Sequence, residues 1–157
     1  MKKGFTLVEL IIVMAILISL FTLGSINILN TQKQSSASAT VSTLISDIRF
    51  QQSKAMLGQT DGGQEADTYG IHILGGQYVL FKGSVYSESD PGNTVIDIDP
   101  NFSLGTSFLD NTIVFSQGSG EIVGYLAGAD QIELVGITDT SSVLLTLNQY
   151  GVVVSQN

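Results

Sequence analysis

The chain has no cysteine and only one histidine, His72. Without thiols it can form neither a disulfide nor a thiolate metal site. A histidine acting as a general base needs a nucleophile and an orienting acid, and the sequence shows no motif that supplies them. We therefore expect a protein that is not an enzyme, with His72 as a partly exposed structural residue between two isoleucines of a strand.

Positive charge is also scarce. Only one of the six basic residues, Lys82, lies beyond residue 57, against twelve acidic residues, so residues 58–157 carry a formal charge of −11. Nucleic-acid affinity depends on cationic groups that displace counterions from phosphates. Binding of DNA or RNA by this part of the chain is therefore not expected.

An apolar run dominates the start of the chain. Lys2 and Lys3 are followed by a single charge, Glu9, before Lys33, and residues 10–29 are mostly apolar. Twenty such residues in a helix match the hydrocarbon thickness of about 30 Å. No A-x-A-like cleavage site closes the run, which predicts a retained membrane helix rather than a removed secretory signal peptide. By the positive-inside rule the N-terminus stays cytoplasmic and the rest of the chain lies outside.

Residues 2–10 read KKGFTLVEL, a short basic leader, a glycine, a phenylalanine and a glutamate four positions beyond it. This arrangement resembles the class III signal of type IV pilins and of the pseudopilins of type II secretion. The resemblance implies that a prepilin peptidase cuts after Gly4 and methylates the new amine of Phe5. It also implies a non-enzymatic filament subunit whose partners are that peptidase, other pilin or pseudopilin subunits, an inner-membrane assembly platform and membrane lipid.

Glu9 raises a physical question, because a carboxylate inside an apolar run is costly unless something neutralises it. After cleavage, the positive amine of Phe5 would lie one helical turn from Glu9, so opposite charges would be available at matching depth in neighbouring subunits. Such a pair would compensate the carboxylate and set the axial stagger between helices. Alternatively, Glu9 lies in the headgroup zone of an ordinary signal anchor.

The helical pattern continues beyond the apolar run. Val41, Leu44, Ile45, Ile48 and Ala55 form one apolar stripe at helical spacing, and Gly58 is a plausible C-terminal stop. The predicted organisation is a leader at 1–4, a membrane or filament-core helix at 5–30, an amphipathic continuation at 31–57 and an acidic β-rich domain at 58–157.

Short alternating runs follow, and they predict seven or eight strands without intervening helices. The runs are YGIHILGGQYVLFK, which reads as a hairpin with Gly75–Gly76 as a turn of positive φ, and TVIDID, NTIVFS, GEIVGYL, QIELVGI, VLLTLN and GVVVS. The predicted class is α+β, with the long N-terminal helix packed on an antiparallel sheet or small β-sandwich. This order of elements looks like minor pilins and the H-type minor pseudopilins, although a major subunit remains open.

Two further groups of residues suggest binding. Glu88, Asp90, Asp97 and Asp99 supply hard oxygen donors of the kind that calcium prefers, although acidic residues near turns are more often simply solvated. No other cofactor is expected. The aromatic residues around the first hairpin, including Tyr69 and Tyr86, either pack in the core or form a patch for a partner subunit.

Two functional hypotheses follow from these patterns. The first is a structural subunit of a type IV pilus or type II secretion pseudopilus, held in the membrane by one helix until it enters the filament. The second is a signal-anchored extracytoplasmic module that binds a ligand or calcium and does not polymerise. Cleavage of the leader separates the two, because a simple anchor does not need it.

Overall fold

The structure, a computed structural model, describes residues 6–58, 67–138 and 141–156, and within these all side chains except those of residues 23–34. One helix and eight strands make up the described chain. Their bounds are α1 Leu7–Met56, β1 Tyr69–Leu74, β2 Gln77–Lys82, β3 Thr94–Asp97, β4 Phe102–Thr106, β5 Thr112–Phe115, β6 Gln131–Gly136, β7 Ser142–Leu147 and β8 Val153–Gln156. A short 3-10 turn, Leu109–Asn111, precedes β5.

The strands form two four-stranded sheets, in the orders β3-β2-β1-β5 and β4-β6-β7-β8. Every pairing between named strands is antiparallel. The predicted α+β class with antiparallel sheets is therefore confirmed. Both sheets contribute to one core, in which Ile71 and Phe115 of the first sheet and Leu134 and Leu147 of the second are buried.

The chain divides into two compact units, Met1–Ser36 and Ala37–Asn157. In the first unit, the side chains of residues 6–22 are exposed. Among the residues that the structure describes, no helix is both long and apolar enough to cross a membrane. The predicted membrane segment, 5–30, includes Phe5 and the side chains of 23–30, which lie outside the described residues, so it stays a prediction.

In the second unit, the helix buries the predicted stripe. Val41, Leu44, Ile48 and Ala55 are buried, and Ile45 is partly buried. The helix ends as the sequence predicts, because Gly58 has a φ of 61° and its N–H donates to the carbonyl of Ala55 at 3.2 Å. A left-handed residue of this kind costs little only at glycine.

The predicted first hairpin is confirmed, with Leu74 opposite Gln77 across the two-residue Gly75–Gly76 turn. The expected positive φ at these glycines is wrong, since neither adopts it. Their carbonyls accept from other parts of the chain: that of Gly75 from the N–H of Leu104 at 2.8 Å, and that of Gly76 from the N–H of Ile98 at 3.1 Å. These bonds join the tip of the hairpin to the end of β3 and to β4 of the second sheet.

Two strand predictions need correction. The run GEIVGYL, residues 120–126, is not a strand, because only Ile122 forms a bridge, to Phe115, and Gly124 turns the chain with a φ of 67°. Strand β4, Phe102–Thr106, was not predicted; its sequence, FSLGT, has a glycine among its few alternating residues.

Candidate functional site

The start of helix α1 is capped by Thr6. Its side-chain oxygen accepts a hydrogen bond from the N–H of Glu9 at 3.3 Å, and its carbonyl accepts from the N–H of Leu10 at 3.2 Å. Thr6 and Glu9 have the threonine-to-glutamate spacing of a capping box. The carboxylate of Glu9 also lies in the first turn, where it interacts favourably with the helix dipole.

The cap gives Glu9 a local role besides any pairing between subunits. Its side chain is exposed, and its carboxylate is therefore accessible to a cation from another chain. Gly4 and Phe5, the predicted cleavage and methylation positions, lie outside the described residues. Their processing, and the pairing of Glu9 with the new amine, stay predictions.

Comparison with known proteins bears on this segment alone. Residues 1–24 match the family model described as the prokaryotic N-terminal methylation motif. The chain carries the type IV pilin and pseudopilin signal. This signal suggests prepilin-type processing, membrane anchoring and later incorporation into a filament. Searches of curated proteins and of solved structures found no match.

Beyond the pilin signal, the four residues expected to bind calcium serve other local contacts or face solvent. Asp90 accepts from the N–H of Gly92 at 2.8 Å, and Asp99 accepts from the N–H of Asn101 at 2.9 Å. Among the described residues, no three histidine, aspartate or glutamate side chains are grouped to hold a metal ion. The calcium prediction at Glu88, Asp90, Asp97 and Asp99 thus rests on residue type alone.

A second candidate site is a groove of about 500 Å³ on the first sheet. We call it the apolar groove. Its walls come from separate segments, and their exposed apolar members are Val85, Leu109, Val123 and Leu126. Its floor includes Phe108 and Val114, which are buried.

The apolar groove lies on the face of the sheet opposite helix α1. Tyr69 and Tyr78 face the helix, because Lys54 lies 4.5 Å from the ring centre of Tyr69 and the hydroxyl of Tyr78 donates to Asp47 at 2.6 Å. Side chains alternate along a strand, so His72 points to the other face, where it lines the groove.

The turn at the rim of the groove has an uncommon backbone. Asp110 and Asn111 both have left-handed φ values, 52° and 53°. Such conformations cost energy outside glycine, least for aspartate and asparagine, and they cluster at functional sites. The turn presents Leu109, whose side chain is 83% exposed, beside the carboxylate of Asp110. A large apolar side chain and a carboxylate are therefore exposed to solvent next to each other.

His72 is positioned as a structural residue. Its Nδ1 lies 2.8 Å from the hydroxyl of Thr112, and that hydroxyl donates to the carbonyl of Asp110 at 2.8 Å. Since the hydroxyl proton is already used, Nδ1 must be the donor to Thr112. The pair is therefore not arranged as base and nucleophile. The ring stacks on Tyr86 at 4.0 Å between centres, and burial lowers the pKa of His72.

Polar contacts between the helix and the first hairpin were missed by the sequence analysis. Gln51 is 2% exposed, and its Nε2 donates to the carbonyls of Gly70 at 2.8 Å and Phe81 at 3.2 Å. A signal was available, because position 51 lies between Ile48 and Ala55 on the apolar stripe. A polar residue on a buried stripe needs hydrogen-bond partners.

Proposed function

We propose that this protein is a non-enzymatic, prepilin-type structural subunit, and a minor one, of a type IV pilus or type II secretion pseudopilus. The observation that carries the proposal is the N-terminal methylation motif at residues 1–24. The capped start of helix α1, with Glu9 in its first turn, supports it. The strands after residue 68 form a β-rich domain that packs on the last part of this helix.

Prepilin peptidase would cut after Gly4 and methylate the amine of Phe5. That amine would then pair with Glu9 of a neighbouring subunit, since a carboxylate in an apolar bundle needs a cation close by. The exposure of Glu9 supports a partner from another chain. The pair would also fix the axial offset between the helices of two subunits.

Exposed apolar side chains along residues 7–21 support a membrane stage followed by a bundled stage. Large apolar residues there are about half exposed or more, as at Leu7, Ile12, Leu17 and Phe21. A continuous apolar surface of this kind needs a cover. Lipid would supply it while one helix holds the subunit in the inner membrane, with its N-terminus cytoplasmic. Helices of other subunits would supply it after an assembly platform extracts the chain.

The test is the intact mass of the N-terminus after membrane extraction from cells that co-express a prepilin peptidase. We expect a chain that begins at N-methylated Phe5. Cells without the peptidase provide the control and should yield the uncut chain. An uncut chain in the presence of active peptidase would overturn the proposal.

The apolar groove favours a second candidate function, a signal-anchored extracytoplasmic module that binds an apolar ligand. Such a module would keep its leader and would not need Glu9. The same mass measurement therefore separates the two candidates, because only the filament subunit requires cleavage between Gly4 and Phe5.

A further inference from the structure

The apolar groove presents large apolar side chains to solvent on the side of the domain that does not contact the helix. Leu109 and Val85 are more than three-quarters exposed, although neither belongs to the apolar N-terminal run. Exposed apolar patches on a folded domain commonly mark interaction sites. The groove also has a charged component, the carboxylate of Asp110 at its rim.

A second exposed apolar surface lies on the opposite face of the same sheet. It consists of the outward-facing side chains among residues 49–57, in the last turns of α1 and just after it, and we call it the basic helix end. Phe50, Met56 and Leu57 are each more than half exposed there, and Arg49 is exposed beside them. Lys54 extends over the rings of Phe50 and Tyr69.

The charges of the two surfaces are complementary. Residues 37–157 contain only three basic residues, and two of them, Arg49 and Lys54, are in the basic helix end. The third, Lys82, lines the same small pocket as Phe50 and Lys54, but it forms an ion pair with Asp67 at 2.7 Å. By contrast, among the described residues, the one acidic residue that lines the apolar groove is Asp110, and the lining contains neither lysine nor arginine. Complementary potentials of this kind steer and orient association.

The placement of the two surfaces prevents a contact within one chain. Because they lie on opposite faces of the sheet β3-β2-β1-β5, the groove of one copy can receive only the helix end of another. When two identical chains join through two different surfaces, the pair still has one free groove and one free helix end. Further copies can therefore add, and the result is an open filament unless the rotation between copies closes a ring.

We propose that the apolar groove binds the basic helix end of a second copy of this chain. In this contact Asp110 faces the basic side chains of that helix end, chiefly Arg49. The inference rests on the proposed function, and it requires in addition that two copies of this subunit lie next to each other. It names a contact between outer domains, separate from any contact between the N-terminal helices.

The absence of cysteine allows a clean cross-linking test in the full-length chain. Two differently tagged copies are co-expressed with prepilin peptidase, one with Leu109→Cys or Leu126→Cys in the groove and the other with Ser53→Cys or Leu57→Cys at the helix end. Membrane and filament fractions are treated with a short bifunctional thiol reagent. The matched control pairs each groove variant with Val154→Cys, an exposed position on β8 in the other sheet.

We expect dimers carrying both tags from groove and helix-end pairs, at several times the yield of the control pairs. Equal yields, or no mixed dimers from any of the four combinations, would overturn the proposal. Dimers joined groove to groove would also overturn it, because they would show a symmetric contact. The N-terminal mass of the same samples keeps the two proposals distinct, since processed chains without cross-links contradict only the contact.

A charge variant tests the role of Asp110. Asp110→Asn removes the charge, and asparagine tolerates the left-handed backbone at this position. For an exposed ion pair of ordinary strength, we expect the variant to show a fall in cross-linking of about two- to fivefold at low salt. Added salt should then lower the yield of the variant little further, because the charge that salt would screen is already gone. Glu133→Gln, at an exposed position on β6, is the matched control and should leave the yield unchanged. An unchanged yield with Asp110→Asn would refute the assigned orientation.

Discussion

Gly70 is expected to be one of the least replaceable residues of the β-rich unit. It lies in β1 opposite Phe81 and Val114 of the two neighbouring strands. A Cβ atom at this position would come within 2.5 Å of Cζ of Phe81 and 2.7 Å of the carbonyl oxygen of Ile113. The phenylalanine ring can rotate away, but the carbonyl belongs to the backbone of β5 and can move only with that strand.

Two opposing effects decide the outcome of Gly70→Ala. Alanine loses less conformational freedom on folding than glycine, which favours the variant by about 0.5–1 kcal/mol. Overpacking of a filled site costs about 1–3 kcal/mol, and the backbone contact places this site in the upper part of that range. We therefore expect a net loss of about 1–2 kcal/mol. For a chain of this length, that loss lowers the Tm by roughly 2–8 °C.

Gly105→Ala is the matched control, because Gly105 is also a strand glycine, yet no described atom lies within 4 Å of a Cβ built on it. Thermal unfolding of the detergent-solubilised full-length chain, followed by circular dichroism in the far and near ultraviolet, compares both variants with the parent. Gly105→Ala should leave the Tm unchanged or raise it. A Gly70→Ala chain that melts at or above the parent temperature would refute the packing argument.

Three further predictions concern titrating and paired groups. Because burial lowers the pKa of His72, the unfolded chain binds the proton more readily, and the stability that neutral His72 confers is lost as the pH falls below its unfolded value of about 6.5. His72→Asn, which can still donate to Thr112, should flatten the decline in the free energy of unfolding between pH 7 and pH 5; an unaltered slope would contradict this. Tyr78→Phe removes the hydrogen bond to Asp47 and should lower the free energy of unfolding by about 1–3 kcal/mol in denaturant titrations, whereas a change near zero would mean that solvent replaces it. Glu9→Gln should leave the N-terminus cut and methylated, as read by mass, but should abolish recovery of this subunit in sheared filaments; a variant recovered there at the parent level would exclude the charge pair.

The sequence allowed good prediction where the determinants are local. The stripe from Val41 to Ala55 follows helical spacing, and the hairpin around Gly75–Gly76 follows strand alternation, so both were predicted correctly. Prediction failed at residues 120–126, because a short apolar run with glycines reads as a strand whether or not a neighbour pairs with it. Strand β4 was missed for the opposite reason, since pairing with β6 forms a strand from a weakly alternating segment.

The two candidate sites also differ in whether their determinants are local in the sequence. The N-terminal signal consists of adjacent residues and can be read directly from the sequence. The apolar groove is built from segments around residues 72, 85, 109 and 124, which only the fold brings together. No periodicity could indicate that Leu109 is exposed, because its position depends on two successive left-handed residues in the turn that follows it.

Directional contacts fix the orientation of the first sheet on the part of helix α1 that lies in the second unit. An apolar stripe alone tolerates small rotations and shifts of a helix, because apolar contact is non-directional. Gln51 removes that freedom, since its amide must meet the carbonyls of Gly70 and Phe81 together, and the bond from Tyr78 to Asp47 adds a second fixed point one turn earlier. The basic helix end follows directly on these contacts, while the apolar groove lies on the other face of the sheet that they hold. The same bonds therefore fix the angle between the two surfaces, and the proposed head-to-tail contact would require that angle to be the same in every copy.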